Sequence, residues 1–247
     1  MKKLVTISRE YGSGGRTIGK ILAQKLEVPF YDKEELIDLA AERSGFSKEL
    51  LAGAELKAKN SFAYNLSSAL SFNEATSGSP LSVNEKLFLA TFQTIREIGE
   101  KGEAVIVGRC ADYVLREIAG VTNVFIYADQ EDRLRRAVES YGENPDDVRE
   151  IVATYDKARQ NYYNYHTGQK WGEFKNYNLA INSSYITEEE AANLIADYVQ
   201  HRRYKDEQRQ NRGEKTGQEA HNGTGRQDHR QDRGNFAGCG HRADRGD

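Results

Sequence analysis

Between Ser8 and Gly19 the chain reads SREYGSGGRTIG, after the apolar run Leu4-Val5-Thr6-Ile7 and before a stretch with helical periodicity. Glycines, hydroxyls and a cation at such a junction have a specific capacity. Gly12, Gly14 and Gly15 admit backbone angles that turn successive N–H groups into one concavity and let a phosphate come close. The N-terminus of the following helix adds positive potential at the same place. The phosphate-gripping pattern G-x-x-x-x-G-K-[ST] is met in part. Gly15-Arg16-Thr17 take its last three positions, arginine standing for lysine, and Glu10 falls where the first glycine belongs. Gly12, Ser13, Gly14, Gly15, Arg16 and Thr17 are therefore the candidate cradle, with the Thr17 hydroxyl available to Mg²⁺. The bland alternative is a glycine-rich turn that merely starts a helix.

Phosphate chemistry needs more cations than one loop supplies. In VIVGRCADYVL, Arg109 directly follows an apolar run, where a guanidinium could clamp a phosphate bidentately. In FIYADQEDRLRRA, Arg133 and Arg136 are three apart and share a helix face, while Arg135 points elsewhere toward Glu131 or Asp132. Asp156 and Arg159 are likewise three apart, beside Tyr162, Tyr163, Tyr165 and Trp171, which read as an aromatic packing cluster. His166 has no evident carboxylate or metal partner, and Cys110 reads as a small buried residue.

These residues must be positioned by a frame, and the chain supplies one. Short apolar runs at Leu4–Ile7, Pro29–Tyr31, Ala104–Val107, Asn123–Tyr127 and Leu179–Ile181 predict strands. Helical patterns at Gly15–Leu26, Lys33–Ser44, Asn84–Lys101, Ala111–Ile118, Gln130–Tyr141, Pro145–Tyr165 and Ala191–Arg202 alternate with them. Thr187 followed by Glu190 is a capping box for the last helix. Alternation of this kind predicts an α/β fold, a parallel sheet with helices on both faces and ligands at the carboxyl ends of its strands. Residues 46–83 fit the alternation least and read as a helical insertion with a loop. From Lys205 onward the chain is Gly, Arg, Gln, Asp and His with one large apolar residue, Phe236, so a disordered polar tail is expected over 204–247.

The bulk numbers narrow the class. A formal net charge of -3 gives no basic field for nucleic acid. No apolar run approaches a membrane span, and the one near the N-terminus is too short for a signal peptide. The two cysteines, Cys110 and Cys239, lie in unrelated contexts, so a disulfide framework is not expected and a cytoplasmic setting is.

Taken in order, ISREYGSGGRTIG, PFYDKEELI, VIVGRCADYVL, YADQEDRLRR and YYNYHTGQKWGEFKNYNLAINSS resemble the signatures of the cytidylate kinase-like family of P-loop nucleoside monophosphate kinases. The resemblance implies a five-stranded P-loop core over 1–203, an acceptor-binding insertion, and an arginine-bearing lid over about 130–170. It implies ATP-dependent phosphoryl transfer to CMP or dCMP with Mg²⁺. Arg16, with the lid arginines Arg133, Arg136 and Arg159, would act on the transferring group. Arg109 would contact the acceptor phosphate, with Asp32 and Asp112 as further acceptor-site residues. Arg16 in place of lysine, and Val107 and Cys110 where the family's well-studied members carry acids, are departures. They leave two other readings open: a kinase for another small acceptor, or a catalytically silent nucleotide-binding module.

Overall fold

A computed structural model of the protein describes residues 3–44 and 83–202. Five strands form one parallel sheet: β1 (Lys3–Arg9), β2 (Phe30–Tyr31), β3 (Glu103–Val107), β4 (Val121–Tyr127) and β5 (Leu179–Asn182). Their order is β2-β3-β1-β4-β5. The first strand is thus the central one, pairing Lys3 to Ile7 with Glu103 to Val107 and Leu4 to Arg9 with Val121 to Ile126.

The helices are α1 (Gly15–Leu26), α2 (Lys33–Ser44), α3 (Val83–Lys101), α4 (Ala111–Val114), α5 (Gln130–Glu139) and α6 (Val148–Thr167), with α7 over 188–202. Alternation along β1 sorts the core into two layers. Val5 and Ile7 pack with Val105, Val107, Val124 and Ile126 against Ile18 and Leu22 of α1 and Ile195 and Val199 of α7. Leu4 packs with Ala104, Ile106 and Val121 against Leu36 of α2, Ile95 and Ile98 of α3, and Leu115. Each fully buried Leu or Ile contributes about 1.5–3 kcal/mol, so the frame is rigid independently of anything bound at its edge.

Strand and helix positions agree with the expectations to within a few residues at their ends, and two of the differences have a visible cause. The helix expected over Ala111–Ile118 is a single turn, α4. After it Arg116 N–H bonds Tyr113 O at 3.3 Å and Ile118 N–H bonds Leu115 O at 2.9 Å, tight turns that lead to Gly120 at φ 81° and on into β4. The helix expected from Pro145 starts at Val148, because Asn144 Oδ1 accepts Asp146 N–H at 3.1 Å and holds a turn there. The capping box is present: Thr187 Oγ1 accepts Glu190 N–H at 3.2 Å and Glu190 Oε2 accepts Thr187 N–H at 2.8 Å. The insertion expected over 46–83, apart from its last residue, and the tail over 204–247 lie outside the described residues.

Candidate active site

The glycine segment leaves the carboxyl end of the central strand and turns into α1. Gly12 and Gly14 have φ of 80° and 74°, angles that side-chain-bearing residues rarely adopt. At Gly12 space forbids a side chain as well, since a Cβ there would fall on the backbone carbonyl of Arg133, whereas one on Gly14 would meet only the movable Glu188 side chain. Buried Ser13 closes the turn, donating its hydroxyl to Glu10 O at 2.9 Å while its own carbonyl accepts Ser183 Oγ–H at 2.7 Å.

Ile18 N–H, bonded to Gly14 O at 3.0 Å, makes the first hydrogen bond of α1. The N-cap is Gly14, which has no side chain to cap the helix, so the amides of Gly15, Arg16 and Thr17 have no acceptor within it. Thr17 is exposed beside them. Uncapped amides, a positive helix end and an exposed hydroxyl are the donor set that phosphate oxygens and one magnesium ligand position require.

Arg16 and Asp32 meet. The Arg16 guanidinium donates through Nε to Asp32 Oδ2 at 2.5 Å, and Nη2 lies 2.5 Å from the same oxygen. Burial by itself would raise the Asp32 carboxyl, yet hydrogen bonds involving Glu35, Arg16 and the Glu34 N–H hold it below its ordinary value. Two residues assigned in the sequence to different substrates therefore form one ion pair beside the loop.

The lid arginines converge on the loop from the other side. Arg133 Nε donates to Tyr11 O at 2.8 Å, its Nη1 lies 3.3 Å from Glu10 Oε2, and its Nη2 pairs with Asp156. Arg136 donates to Gly12 O and approaches Glu188 Oε1 at 3.8 Å. Arg159 approaches Asp156 Oδ1 at 3.4 Å and Arg9 O at 3.4 Å. Asp156 also accepts Tyr11 N–H at 2.7 Å, so one carboxylate of α6 ties together two lid arginines and the loop backbone. The Tyr11 ring stacks on Tyr155 at 4.3 Å, and its hydroxyl donates to Glu143 Oε1 at 2.5 Å. Arg135 pairs with Asp132 at the surface, away from this group.

Arg109 lies on the neighbouring turn between β3 and α4. It and Cys110 adopt φ of 57° and 55°, and the Arg109 guanidinium lies 5.4 Å from the centre of the Tyr162 ring. Asp112 is 5 % exposed and accepts Tyr163 Oη–H at 2.7 Å. Burial raises its carboxyl above the ordinary 3.8, against the pull of that hydrogen bond. A carboxyl whose folded value is raised stabilises the fold most at low pH, and that contribution is lost as pH climbs from the unfolded value through the folded one. Asp112→Asn keeps an oxygen for Tyr163 and removes the buried charge. It is expected to melt higher than wild type at pH 8, with the gap closing toward pH 4; thermal melts across that range check it.

The aromatic grouping read from the sequence divides, while His166 and Cys110 are the packing residues expected. The aromatic residues near 165 are not one cluster: Tyr163 binds Asp112, whereas Trp171 packs edge-on against Phe125 at 5.5 Å. His166 stacks on Phe88 of α3 at 3.8 Å, and burial next to Arg109 pushes it down to about 4, so it is a neutral packing residue at pH 7. Burial pushes the Cys110 thiol up to about 12, which leaves it unreactive.

Arg9 was not singled out by its sequence context, where it is simply the charged residue after Ser8. In the fold its partly buried side chain runs between the glycine loop and the Arg109 turn, and desolvation with Arg159 nearby pushes its guanidinium down to about 9. Among the described residues no group of three His, Cys, Asp or Glu could hold a metal ion, and no helix is long and apolar enough to cross a membrane.

A central parallel strand that runs into a glycine turn and an uncapped helix defines a P-loop-type α/β fold. The chain belongs to the cytidylate kinase-like family, whose model matches residues 4–185. No curated protein matches it. Among solved structures it is similar to an uncharacterized protein from Eubacterium ventriosum ATCC 27560, at 25% identity and a TM-score of 0.60, over 80% of this chain and 98% of that one. It also aligns with a shikimate kinase from Bacteroides thetaiotaomicron at 15% identity and TM-score 0.48, over 81% and 99% of the two chains. A shikimate kinase from Aquifex aeolicus VF5 aligns at 16% identity and TM-score 0.40, over 81% and 99%. Likenesses at those two scores carry no weight for the activity of this chain.

Proposed function

We propose that the protein transfers the γ-phosphoryl group of ATP to a nucleoside monophosphate, CMP or dCMP, in a cytoplasmic setting. The observation that carries this reading is the uncapped, glycine-turned start of α1 with Arg16, Arg133, Arg136 and Arg159 arrayed around it. The amides of Gly15, Arg16 and Thr17 would hold the triphosphate, and the Thr17 hydroxyl would hold Mg²⁺. ATP supplies the phosphoryl group and the metal neutralises its charge when bound. The chain's own task is positioning and electrostatic stabilisation, because such a transfer passes through a loose, highly charged transition state with no protein nucleophile. Arg133 and Arg159 are held in place by Asp156, so they are oriented before any ligand arrives. Arg109 would clamp the acceptor phosphate from the adjoining turn. Water exclusion falls to the lid formed by α5 and α6.

The test is to mix the full chain with ATP, Mg²⁺ and each nucleoside monophosphate in turn and to follow product formation. Selective conversion of CMP or dCMP supports the reading; transfer to a different small acceptor, or to none, removes it. In the same assay Arg109→Ala is expected to raise the acceptor KM at least about tenfold, the worth of a charged hydrogen bond, with the ATP KM little changed. An unmoved acceptor KM would free Arg109 from that role.

A silent nucleotide-binding module is the second reading, and a specific feature favours it. Asp156 takes the Tyr11 amide, Arg136 engages the Gly12 carbonyl, and Glu188 faces Gly14, so protein groups already occupy part of the loop's surroundings. Saturable ATP binding with no transfer to any acceptor is its signature.

A further inference from the structure

Tyr11 lies inside the glycine turn, between Glu10 and Gly12, yet each of its four interacting groups meets the lid. Its amide donates to Asp156 Oδ1 of α6 at 2.7 Å, and its carbonyl accepts Arg133 Nε–H of α5 at 2.8 Å. The ring stacks on Tyr155 of α6, with 4.3 Å between centres and 4° between planes. The hydroxyl donates to Glu143 Oε1 at 2.5 Å, in the segment that joins the two helices. Tyr141 of that segment meets the ring edge-on at 5.5 Å, and the Arg159 guanidinium lies 5.3 Å from the ring centre. Burial and the Glu143 carboxylate push the phenol above its ordinary 10.0, so the hydroxyl keeps the proton it donates.

The packing of the lid gives this ring its weight. Among the described residues neither core layer of the sheet includes a side chain of α5 or α6. The two helices share a small apolar cluster of their own, Leu134, Ala137 and Val138 with Val148 and Val152. Its one member from outside the pair is Tyr11. The far end of α6 is fixed separately, by Tyr163 on Asp112 and His166 on Phe88. Tyr11 therefore governs the near end, which carries Asp156 and Arg159 and pairs with Arg133. Stacked and edge-on rings fix orientation as well as distance, and a guanidinium near a ring face is drawn to it. One peptide link away, Gly12 has a φ of 80°, so the direction of the ring is tied to the shape of the turn.

We infer that Tyr11 is a positioning residue, whose ring sets Arg133 and Arg159 against the glycine loop and makes the filling of that loop felt at α6. The inference rests on the kinase reading above and adds to it a residue that touches neither nucleotide. A triphosphate that fixes the turn fixes the ring, and with it the near end of the lid. Transfer by orientation and charge is sensitive to such placement, since a displacement of about 1 Å costs about 10²-fold in rate.

The experiment compares the full chain with Tyr11→Ala and Tyr11→Phe, each assayed well below its own melting midpoint. Tyr11→Ala is expected to lower kcat by about 10²-fold while the KM values for ATP and acceptor stay within about threefold. Tyr11→Phe keeps the ring and loses only the bond to Glu143, so it should recover at least about tenfold of that loss. A merely structural tyrosine would lower the melting temperature and leave kcat at the wild-type value. That result, or equal losses of kcat in the two variants, overturns the inference. A second readout needs no acceptor. Trypsin cleavage after the exposed Arg149 and Lys157 is followed with and without Mg²⁺ and a non-hydrolysable ATP analogue, at saturation set by thermal shift for each variant. The analogue should slow cleavage in wild type and Tyr11→Phe but not in Tyr11→Ala. Equal slowing in all three, or none in wild type, also overturns the inference. If wild type phosphorylates no acceptor while slowing still depends on the ring, the kinase reading fails and the coupling stands. If all three convert CMP at the wild-type kcat, the kinase reading stands and Tyr11 is removed from it.

Discussion

Arg16→Ala is expected to slow phosphoryl transfer by about 10³-fold, the scale of losing one arginine that stabilises the transferring group. Unliganded stability should change far less. The Arg16 side chain is 49% exposed, so solvent screens much of its attraction to Asp32. Asp32 also keeps the Glu34 N–H at 2.9 Å after the arginine is gone. A small drop in melting temperature with a large drop in turnover is therefore the expected pair of results, read by thermal melting and a coupled kinase assay. Arg16→Lys sharpens the comparison. Lysine preserves the positive charge at the loop but offers Asp32 no Nε–H, so recovery of turnover assigns the residue to phosphate charge. Turnover that survives Arg16→Ala would instead assign Arg16 to the Asp32 pair alone and would favour the silent-module reading.

The second large effect is expected at Asp156. Its carboxylate is 17% exposed and serves Arg133, 12% exposed, Arg159, 25% exposed, and the Tyr11 amide. Asp156→Ala leaves those donors without their shared acceptor in a partly dry site. Breaking a buried pair on one side costs about 3 kcal/mol or more. For a chain of this size each kcal/mol lowers the midpoint by about 2–4 °C, so a fall of roughly 6–12 °C is expected. Asp156→Asn keeps one oxygen for the Tyr11 amide and should fall between the two. Turnover should decline in both, since Arg133 and Arg159 lose their fixed orientation. A melting temperature within about 2 °C of wild type for the alanine variant, less than 1 kcal/mol on that scale, would show the hub is not what joins α6 to the loop.

The frame was legible because its signals are local. Apolar runs such as Ala104–Val107 and the Thr187–Glu190 capping box declare strand and helix start within a few residues. The loop was legible for the same reason, since its glycines, hydroxyls and cation are contiguous. Relations across the chain were not. That Arg16 would meet Asp32, or that Tyr11 N–H would bond a carboxylate 145 positions away, depends on sheet order, which no single segment encodes. Arg9 was illegible because a charged residue ending a strand looks like ordinary solvent exposure; only the fold sets the loop and Gly108 against its side chain. The helix read over Ala111–Ile118 stops after one turn because Gly120 and the start of β4 draw the backbone away, against an amphipathic pattern that would have continued it.

The bond from Tyr11 N–H to Asp156 Oδ1 has a practical corollary. It is one of several contacts that join the phosphate-side loop to α6, and its proton becomes exchangeable with deuterated solvent only when the two elements part. Its exchange rate is a built-in gauge of how often the closed arrangement breathes, readable at one amide without any substrate or any label.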